Sequence, residues 1–380
     1  MKVLGLFALL LAPALLPPLS GCIDINPPDP SGRTWSPPRD DASAGPAVRP
    51  PQEAAARPPL EFHIQLSVQE QLPRAKGLGA TIRYPQPGSD LPIYTGKVAI
   101  VYEWRPKDGL EERTNPRTGK DYGPIWKDTI AEQMQPDNLQ RHLNSVDRWI
   151  GTFVPANFEG TVVLDVERWP LKSDTFHLGA HAKQQLDKLA PGKKQAELMS
   201  EFMRITEARA RAVRPRVKAW GWWSMGEMHP AFPIWHKDKY KAWRETDLPV
   251  ERQALEGTWI PFPSFYFPTS FSKANERAAA WPLITEHWTL LYGQERLARD
   301  GYAYLNIRHP YNASKEFATK PLTREQFREC VEAAWSVGIR RFVIWDSIDK
   351  PEVRDIAQRF IDEILVPEVR LCVERYRAER

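Results

Sequence analysis

From Glu61 onward, hydrophobic and polar positions alternate between two periods. Short apolar runs recur at Phe62–Ser67, Val98–Tyr102, Thr161–Val166, Val217–Trp222, Pro263–Phe267, Tyr302–Ile307 and Arg341–Trp345, with the length and the β-branched or aromatic make-up of strands. Between them apolar residues fall three and four apart. Leu139, Leu143, Val146, Ile150 and Phe153 share one helical face, and Leu198, Phe202, Ile205, Ala208 and Ala212 share another, with Pro215 as its stop. Thr323 and Gln326 have capping-box spacing, Phe327, Val331 and Trp335 continue the stripe, and Gly338 closes that helix. Strand followed by helix, repeated over roughly 300 residues, predicts an α/β fold arranged as a parallel, TIM-like (β/α) barrel. Seven strand candidates, one short of the usual number, predict a distorted barrel. The segments Arg105–Lys127 and Lys172–Lys194 read as long loops over its mouth.

Upstream of Glu61 the pattern changes twice. Met1-Lys2 and the Leu/Ala-rich stretch Val3–Leu16 read as a signal peptide over residues 1–21, too short for a membrane span. Leu19-Ser20-Gly21-Cys22 resembles a bacterial lipobox, which implies cleavage before Cys22 and lipidation of its thiol. The alternative is an ordinary signal peptide with a chance cysteine. Residues 22–60, dominated by Pro, Ala, Ser, Asp and Arg, bury too little apolar surface to offset ordering and predict a disordered tether. The folded domain is then 61–380. The expected location is the bacterial cell envelope, after export, held to a membrane by the lipid.

Composition narrows the function classes. The formal charge is only +4 over 380 residues, with no Lys/Arg run and no nucleic-acid motif, so nucleic acid is not an expected partner. A locally basic groove for a polyanion stays open. Cys330 and Cys372 are either a pair or two buried thiols. His177 and His181 have helical ligand spacing but no supporting Cys or helix signal, so no metal is expected. There is no Gly-rich phosphate loop, serine elbow or redox dithiol, and no cofactor is expected. Asn312-Ala313-Ser314 is a glycosylation sequon that a bacterial lipoprotein would not use. The expected oligomeric state is a monomer.

The candidate chemistry lies where the run Thr161-Val162-Val163-Leu164 ends in Asp165-Val166-Glu167. Strand alternation sends Asp165 and Glu167 the same way, their Cα atoms about 7 Å apart. Two acids that close in a shielded cleft cannot both ionise freely, so one is kept protonated and fit to donate. Active sites of parallel barrels form at the C-terminal strand ends, which also carry Trp222, Trp223, Tyr266, Arg308 and Trp345. Tyr304, within the Tyr302–Ile307 run, is a further candidate contact. Indole and phenol faces stack on sugar rings, and the chain has fifteen Trp, though a large core absorbs Trp as well. Trp222 and Trp223 are adjacent, so only one can face the barrel. Arg308 either meets a uronate carboxylate or is a solvated or helix-facing charge.

Carboxylates two apart on one strand cannot straddle a glycosidic bond, as ordinary retaining and inverting enzymes require. Substrate assistance needs less. The 2-acetamido carbonyl attacks its own anomeric carbon, Glu167 protonates the leaving oxygen and later activates water, and Asp165 orients the acetamido group and stabilises the oxazolinium charge.

In segment order the chain resembles the hyaluronidase family, glycoside hydrolase family 56. Val154-Pro155-Ala156-Asn157-Phe158-Glu159-Gly160 followed by Asp165-Val166-Glu167 is similar to that family's Ile-Pro-x-x-Phe-x-Gly segment and Asp-x-Glu motif. Trp220-Gly221-Trp222-Trp223, Pro263-Ser264-Phe265-Tyr266 and Val343-Ile344-Trp345 resemble its later strand ends, in matching order across Lys97–Ile348. The resemblance implies a seven-stranded barrel, Glu167 as proton donor, Asp165 and Tyr266 at the acetamide, and Trp345 walling the sugar site. It implies β-N-acetylhexosaminidase activity on a glycosaminoglycan-like polysaccharide. Trp223 stands where the family has tyrosine, Arg168-Trp169-Pro170 where it has Trp-Arg-Pro, and the family's structural cysteines and cysteine-rich C-terminal module have no counterpart. Two other readings stay open: a carbohydrate-binding lipoprotein without catalysis, and an inert structural protein of the envelope.

Overall fold

Alternating side chains on parallel strands sort this chain into an inner layer, a ring of strands and an outer layer of helices. The computed structural model describes residues 58–65, 83, 90–102, 113–114, 121–122, 129–165, 180–223, 237–256, 260–268, 273–308, 320–346 and 351–379. Cys22 and the segments expected from the sequence to be a signal peptide and a tether, up to residue 57, lie outside them.

The strands are β1 (Glu61–Gln65), β2 (Ile93–Thr95), β3 (Val98–Tyr102), β4 (Arg113–Thr114), β5 (Asp121–Tyr122), β6 (Thr161–Asp165), β7 (Ala219–Trp223), β8 (Ile260–Phe262), β9 (Tyr302–Asn306) and β10 (Arg341–Trp345). Two parallel four-stranded ladders run in the orders β2-β1-β10-β9 and β3-β6-β7-β8. They meet at a parallel bridge between Ser264 and Tyr304, where Phe265 N–H donates to the Tyr304 carbonyl at 2.9 Å and Tyr304 N–H to that of Pro263 at 3.0 Å. On the other side β1 packs beside β3. There β2 and β3 are successive pieces of one extended segment, broken at Gly96 with φ 67°. The kink hands that segment from β1 to β6, so seven strand positions encircle the interior although the ladder of hydrogen bonds among the described residues does not close. A left-handed φ at the break suits glycine, which lacks the Cβ that would clash.

Six of the seven expected strands are present, and the remaining place in the ring is taken by β8. The Pro263–Phe267 candidate is displaced upstream to β8 and continues only as the Ser264 bridge, because Pro261 and Pro263 have no N–H for a ladder. The short β2 was not expected from the sequence. Of the two anticipated loops, Arg105–Lys127 contains the antiparallel β4–β5 pair and Lys172–Lys194 contains a helix, Ala180–Leu189. That helix buries Leu186, too thin a stripe to register as a periodicity.

The inner layer is Val98, Ile100, Val163, Phe262, Tyr302, Tyr304 and Val343, all of one strand parity. The other parity, including Phe62, Val162, Leu164, Trp220, Leu305, Phe342 and Ile344, joins the helices in the main core. On β1 the inward parity is polar. His63 lies 5.6 Å from the Tyr302 ring and bonds Glu61, while Phe62 faces outward and stacks on Phe342 at 4.7 Å. The helices around the ring are α1 (Ile130–Gln133), α2 (Pro136–Phe153), α3 (Ala180–Leu189), α4 (Gln195–Val213), α5 (Lys237–Ala254), α6 (Ala274–Tyr292), α7 (Gln294–Asp300), α8 (Arg324–Ser336), α9 (Pro351–Phe360) and α10 (Val366–Ala378), the last two joined by a π-helical turn, Ile361–Leu365. The capping box of α8 forms as expected, with Gln326 N–H on Thr323 Oγ1 at 3.3 Å and Thr323 N–H on Gln326 Oε1 at 2.9 Å. The domain is ordered slightly ahead of Glu61: Leu60 is buried and the Tyr376 hydroxyl donates to the Pro58 carbonyl at 2.8 Å.

Two consequences are measurable. A Cβ on Gly221 would lie 2.2 Å from the Phe262 ring and 2.7 Å from the Ile260 carbonyl oxygen. Gly221→Ala should therefore destabilise the fold by about 1–3 kcal/mol in urea melts. His142, buried on α2 with Nε2 2.8 Å from Thr206 Oγ1, is held neutral because burial lowers its pKa from 6.5 to about 3. The unfolded chain takes up this proton as the pH falls past 6.5 and the folded chain does not until about 3, so stability should drop across that window. In His142→Gln the difference between melts at neutral and acidic pH should shrink.

Candidate functional site

The C-terminal strand ends bring together residues far apart in the sequence. β6 finishes at Asp165, paired in register with Tyr102 of β3 and two residues past Val163, which is fully buried in the inner layer. Glu167 and Arg168 lie outside the described residues, as does His177.

Trp223 ends β7, Tyr266 follows β8 and Trp345 ends β10, all on the inward parity. They form a row across the barrel mouth. Trp223 and Tyr266 have ring centroids 6.3 Å apart at 37°, and Tyr266 and Trp345 are stacked, 6.3 Å apart at 15°. Each is half-buried and rests on the inner layer. Such a row offers flat apolar faces to a chain of pyranose rings, with the Tyr266 hydroxyl as a polar handle.

Two sequence-expected contacts sit elsewhere. Trp222 is 2% exposed and belongs to the outer core against the helices, since its neighbour Trp223 takes the inward direction. Tyr304 is inward but only 1% exposed, in the layer beneath the mouth, with its ring edge-on to Phe262 at 5.8 Å. It forms floor, not contact surface.

Arg308 is neither a solvated nor a helix-facing charge. Its Nε donates to Asp346 Oδ2 at 2.7 Å and its Nη2 to Oδ1 at 2.8 Å, a bidentate pair buried at the mouth. Asn306, also inward, donates its Nδ2 to the Arg308 carbonyl. Asp346 was absent from the sequence expectations although the rule that selected Asp165, a carboxylate at a strand end, applies to it. Cys330 and Cys372 are free, buried thiols; burial pushes both thiol pKa values up, that of Cys372 to about 12. Among the described residues no His/Cys/Asp/Glu group is arranged to hold a metal ion, and no helix is long and apolar enough to cross a membrane.

No protein-family model matches the chain, and no curated protein matches it. Its fold is similar to that of bee venom hyaluronidase, with a TM-score of 0.51 at 13% identity over 82% of this chain and 99% of that one. A further bee venom hyaluronidase structure, in complex with a hyaluronic acid tetramer, gives 0.49 at 15% identity over 82% and 98%. The PgaB (BpsB) glycoside hydrolase domain from Bordetella bronchiseptica gives 0.36 at 13% identity over 71% and 74%. The first likeness agrees with the α/β fold of parallel strands and relates the chain to hyaluronidases at the level of the fold.

Arg308 and Asp346 are both nearly buried, so removing the carboxylate takes a bidentate, charge-assisted partner from a desolvated guanidinium. Asp346→Ala should cost about 3–5 kcal/mol in denaturant melts.

Proposed function

We propose that the protein is a glycoside hydrolase acting on β-linked N-acetylhexosaminides of a glycosaminoglycan-like polysaccharide, with retention and with the substrate's own acetamido group as nucleophile. The observation that carries this reading is the Trp223–Tyr266–Trp345 row at the same barrel face where β6 ends in Asp165. In this reading a sugar stacked on that row is worked on from the C-terminal end of β6, which finishes at Asp165. Glu167 protonates the departing glycosidic oxygen as the acetamido oxygen bonds to the anomeric carbon and the glycosidic bond breaks. Asp165 accepts the acetamido N–H and balances the oxazolinium charge. Glu167, now ionised, takes a proton from the water that opens the ring, which restores the acid and leaves the product with its original anomeric configuration. Tyr266 donates to the acetamido oxygen. Cys22 carries a lipid that tethers a monomeric enzyme to the bacterial envelope, where exported polysaccharide is within reach.

Trp223 favours a second reading. An indole in place of the family tyrosine extends the stacking surface and removes a hydroxyl, which suits binding without turnover.

Reducing-end release from a panel of hyaluronan, chondroitin, chitin oligomers and peptidoglycan separates the two. The hydrolase should release new ends from at least one, Glu167→Gln should abolish release while keeping the melting temperature, and Asp165→Asn should slow it by about 10²-fold or more. Binding with no release by the unaltered protein supports the second reading, and equal rates in Glu167→Gln and the unaltered protein remove the mechanism.

A further inference from the structure

The end of the ring opposite the mouth, where the strands begin, is a surface that the proposed reaction does not use. On one ladder Lys97, Gly160 and Lys218 precede β3, β6 and β7 side by side, with Thr161 N–H donating to the Lys97 carbonyl at 2.9 Å and Lys218 N–H to that of Gly160 at 3.1 Å. On the other ladder Glu61 and Arg341 open β1 and β10 in register. The helix α10 ends at the same place. Its Tyr376 hydroxyl holds the Pro58 carbonyl at 2.8 Å and its last turn meets Arg340, whose Nη2 donates to Glu379 Oε2 at 3.3 Å, so Arg377 lies beside the point where the chain enters the domain. Most carboxylates at this end are already engaged: Glu61 by His63, Glu159 by Arg216, Asp300 by Arg299, and Glu379 by Arg340 and Arg375. The exposed Lys97, Lys218 and Arg377 form no ion pair among the described residues, and Arg214 donates to the Val154 and Gly151 carbonyls, which leaves its charge uncancelled. Against these stands the exposed Glu256. The face is therefore basic, and its cations come from both ladders, so they cover the end of the ring instead of lining one groove.

We propose that this strand-start face lies on an anionic phospholipid surface, which points the Trp223–Tyr266–Trp345 row away from the bilayer. Two observations select that occupant. The first is charge complementarity, since each exposed Lys or Arg held near anionic headgroups gains from their negative surface potential. The second is the point of entry: the upstream chain that carries Cys22 joins the domain at Pro58, within this face and at the far end of the strands from the mouth. A lipid at Cys22 brings this end, and not the mouth, to the headgroups. The orientation rests on that proposed lipid. The attraction of the face for anionic headgroups does not, and neither depends on catalysis.

The test is cosedimentation of the full chain carrying Cys22→Ser, which blocks lipidation, with vesicles of phosphatidylglycerol and phosphatidylcholine in equal parts, against vesicles of phosphatidylcholine alone. The neutral vesicles measure what the N-terminal segment contributes without charge. Association with the anionic vesicles should exceed that baseline and fall as salt is raised from about 0.05 M to about 0.5 M. Lys97→Gln, Lys218→Gln and Arg377→Gln together should weaken it about a hundredfold, about fivefold per charge. Should that triple variant fail to fold, Lys218→Gln with Arg377→Gln decides, with a loss of about twentyfold expected. Lys241→Gln with Lys273→Gln is the control, because α5 and α6 follow β7 and β8 and so start on the mouth side; it should bind like the parent. Equal association of the parent with both kinds of vesicle, unchanged association in the face variants, or an equal loss in the control overturns the proposal. Capture of hyaluronan by this face without vesicle binding also overturns it. Reducing-end release is followed on the same chains: cutting without vesicle binding refutes this face alone, and face-dependent vesicle binding in a chain that never cuts supports it and refutes the hydrolase.

Discussion

Alternation of side chains along strands paired on both edges is the constraint from which the remainder of this structure follows. Every strand of the ring sends one set of residues inward and the other against the helices, and a residue cannot change sides without slipping the register. Hence Phe62 and Phe342, paired in register, stack outside the ring, while Tyr302, Tyr304 and Phe262 fill its inside. The interior is a packed floor. Above that floor, at the ends of β7 and β10 and just past β8, the chain places the half-buried Trp223, Trp345 and Tyr266. These aromatics rest on a filled interior.

Electrostatics at the mouth are arranged in the same register. Arg308 and Asp346 neutralise each other at the ends of neighbouring strands, where a lone charge would be costly so near the core. Asn306 is oriented by the Arg308 carbonyl, and the polar inward face of β1 rises through Glu61 and His63 to Gln65. The inner edge of β1, β10 and β9 is thus polar beside an aromatic row, while β6 brings its acidic end from the opposite ladder. In the proposed reaction these halves have separate duties, the first to hold a sugar and the second to transform it.

Much of this was legible in the sequence because long apolar runs and capped amphipathic helices need little tertiary information. Six of the seven strand runs and the Thr323 capping box are where their patterns put them. What was not legible had physical causes. Ile93–Thr95 is a strand only because Gly96 lets a single segment pair with two partners, and a three-residue run leaves no period to read. Ala219-Trp220-Gly221-Trp222-Trp223 carries aromatics on both parities, so alternation alone could not tell which indole faces the cleft. The Arg308–Asp346 pair joins residues 38 apart and depends on β9 and β10 being neighbours. Glu167, on which the proposed chemistry most depends, is legible only through its spacing from Asp165 and the family resemblance.

The central claim is that two acids on one strand edge act only with a nucleophile supplied by the sugar itself. Cleavage of a chitin oligomer and of its fully de-N-acetylated counterpart of equal length, followed side by side, tests this most directly. The acetylated oligomer should be cut and the de-N-acetylated one left intact, since it lacks the carbonyl that must attack. Comparable rates on both would mean that the nucleophile comes from elsewhere, and would contradict the mechanism.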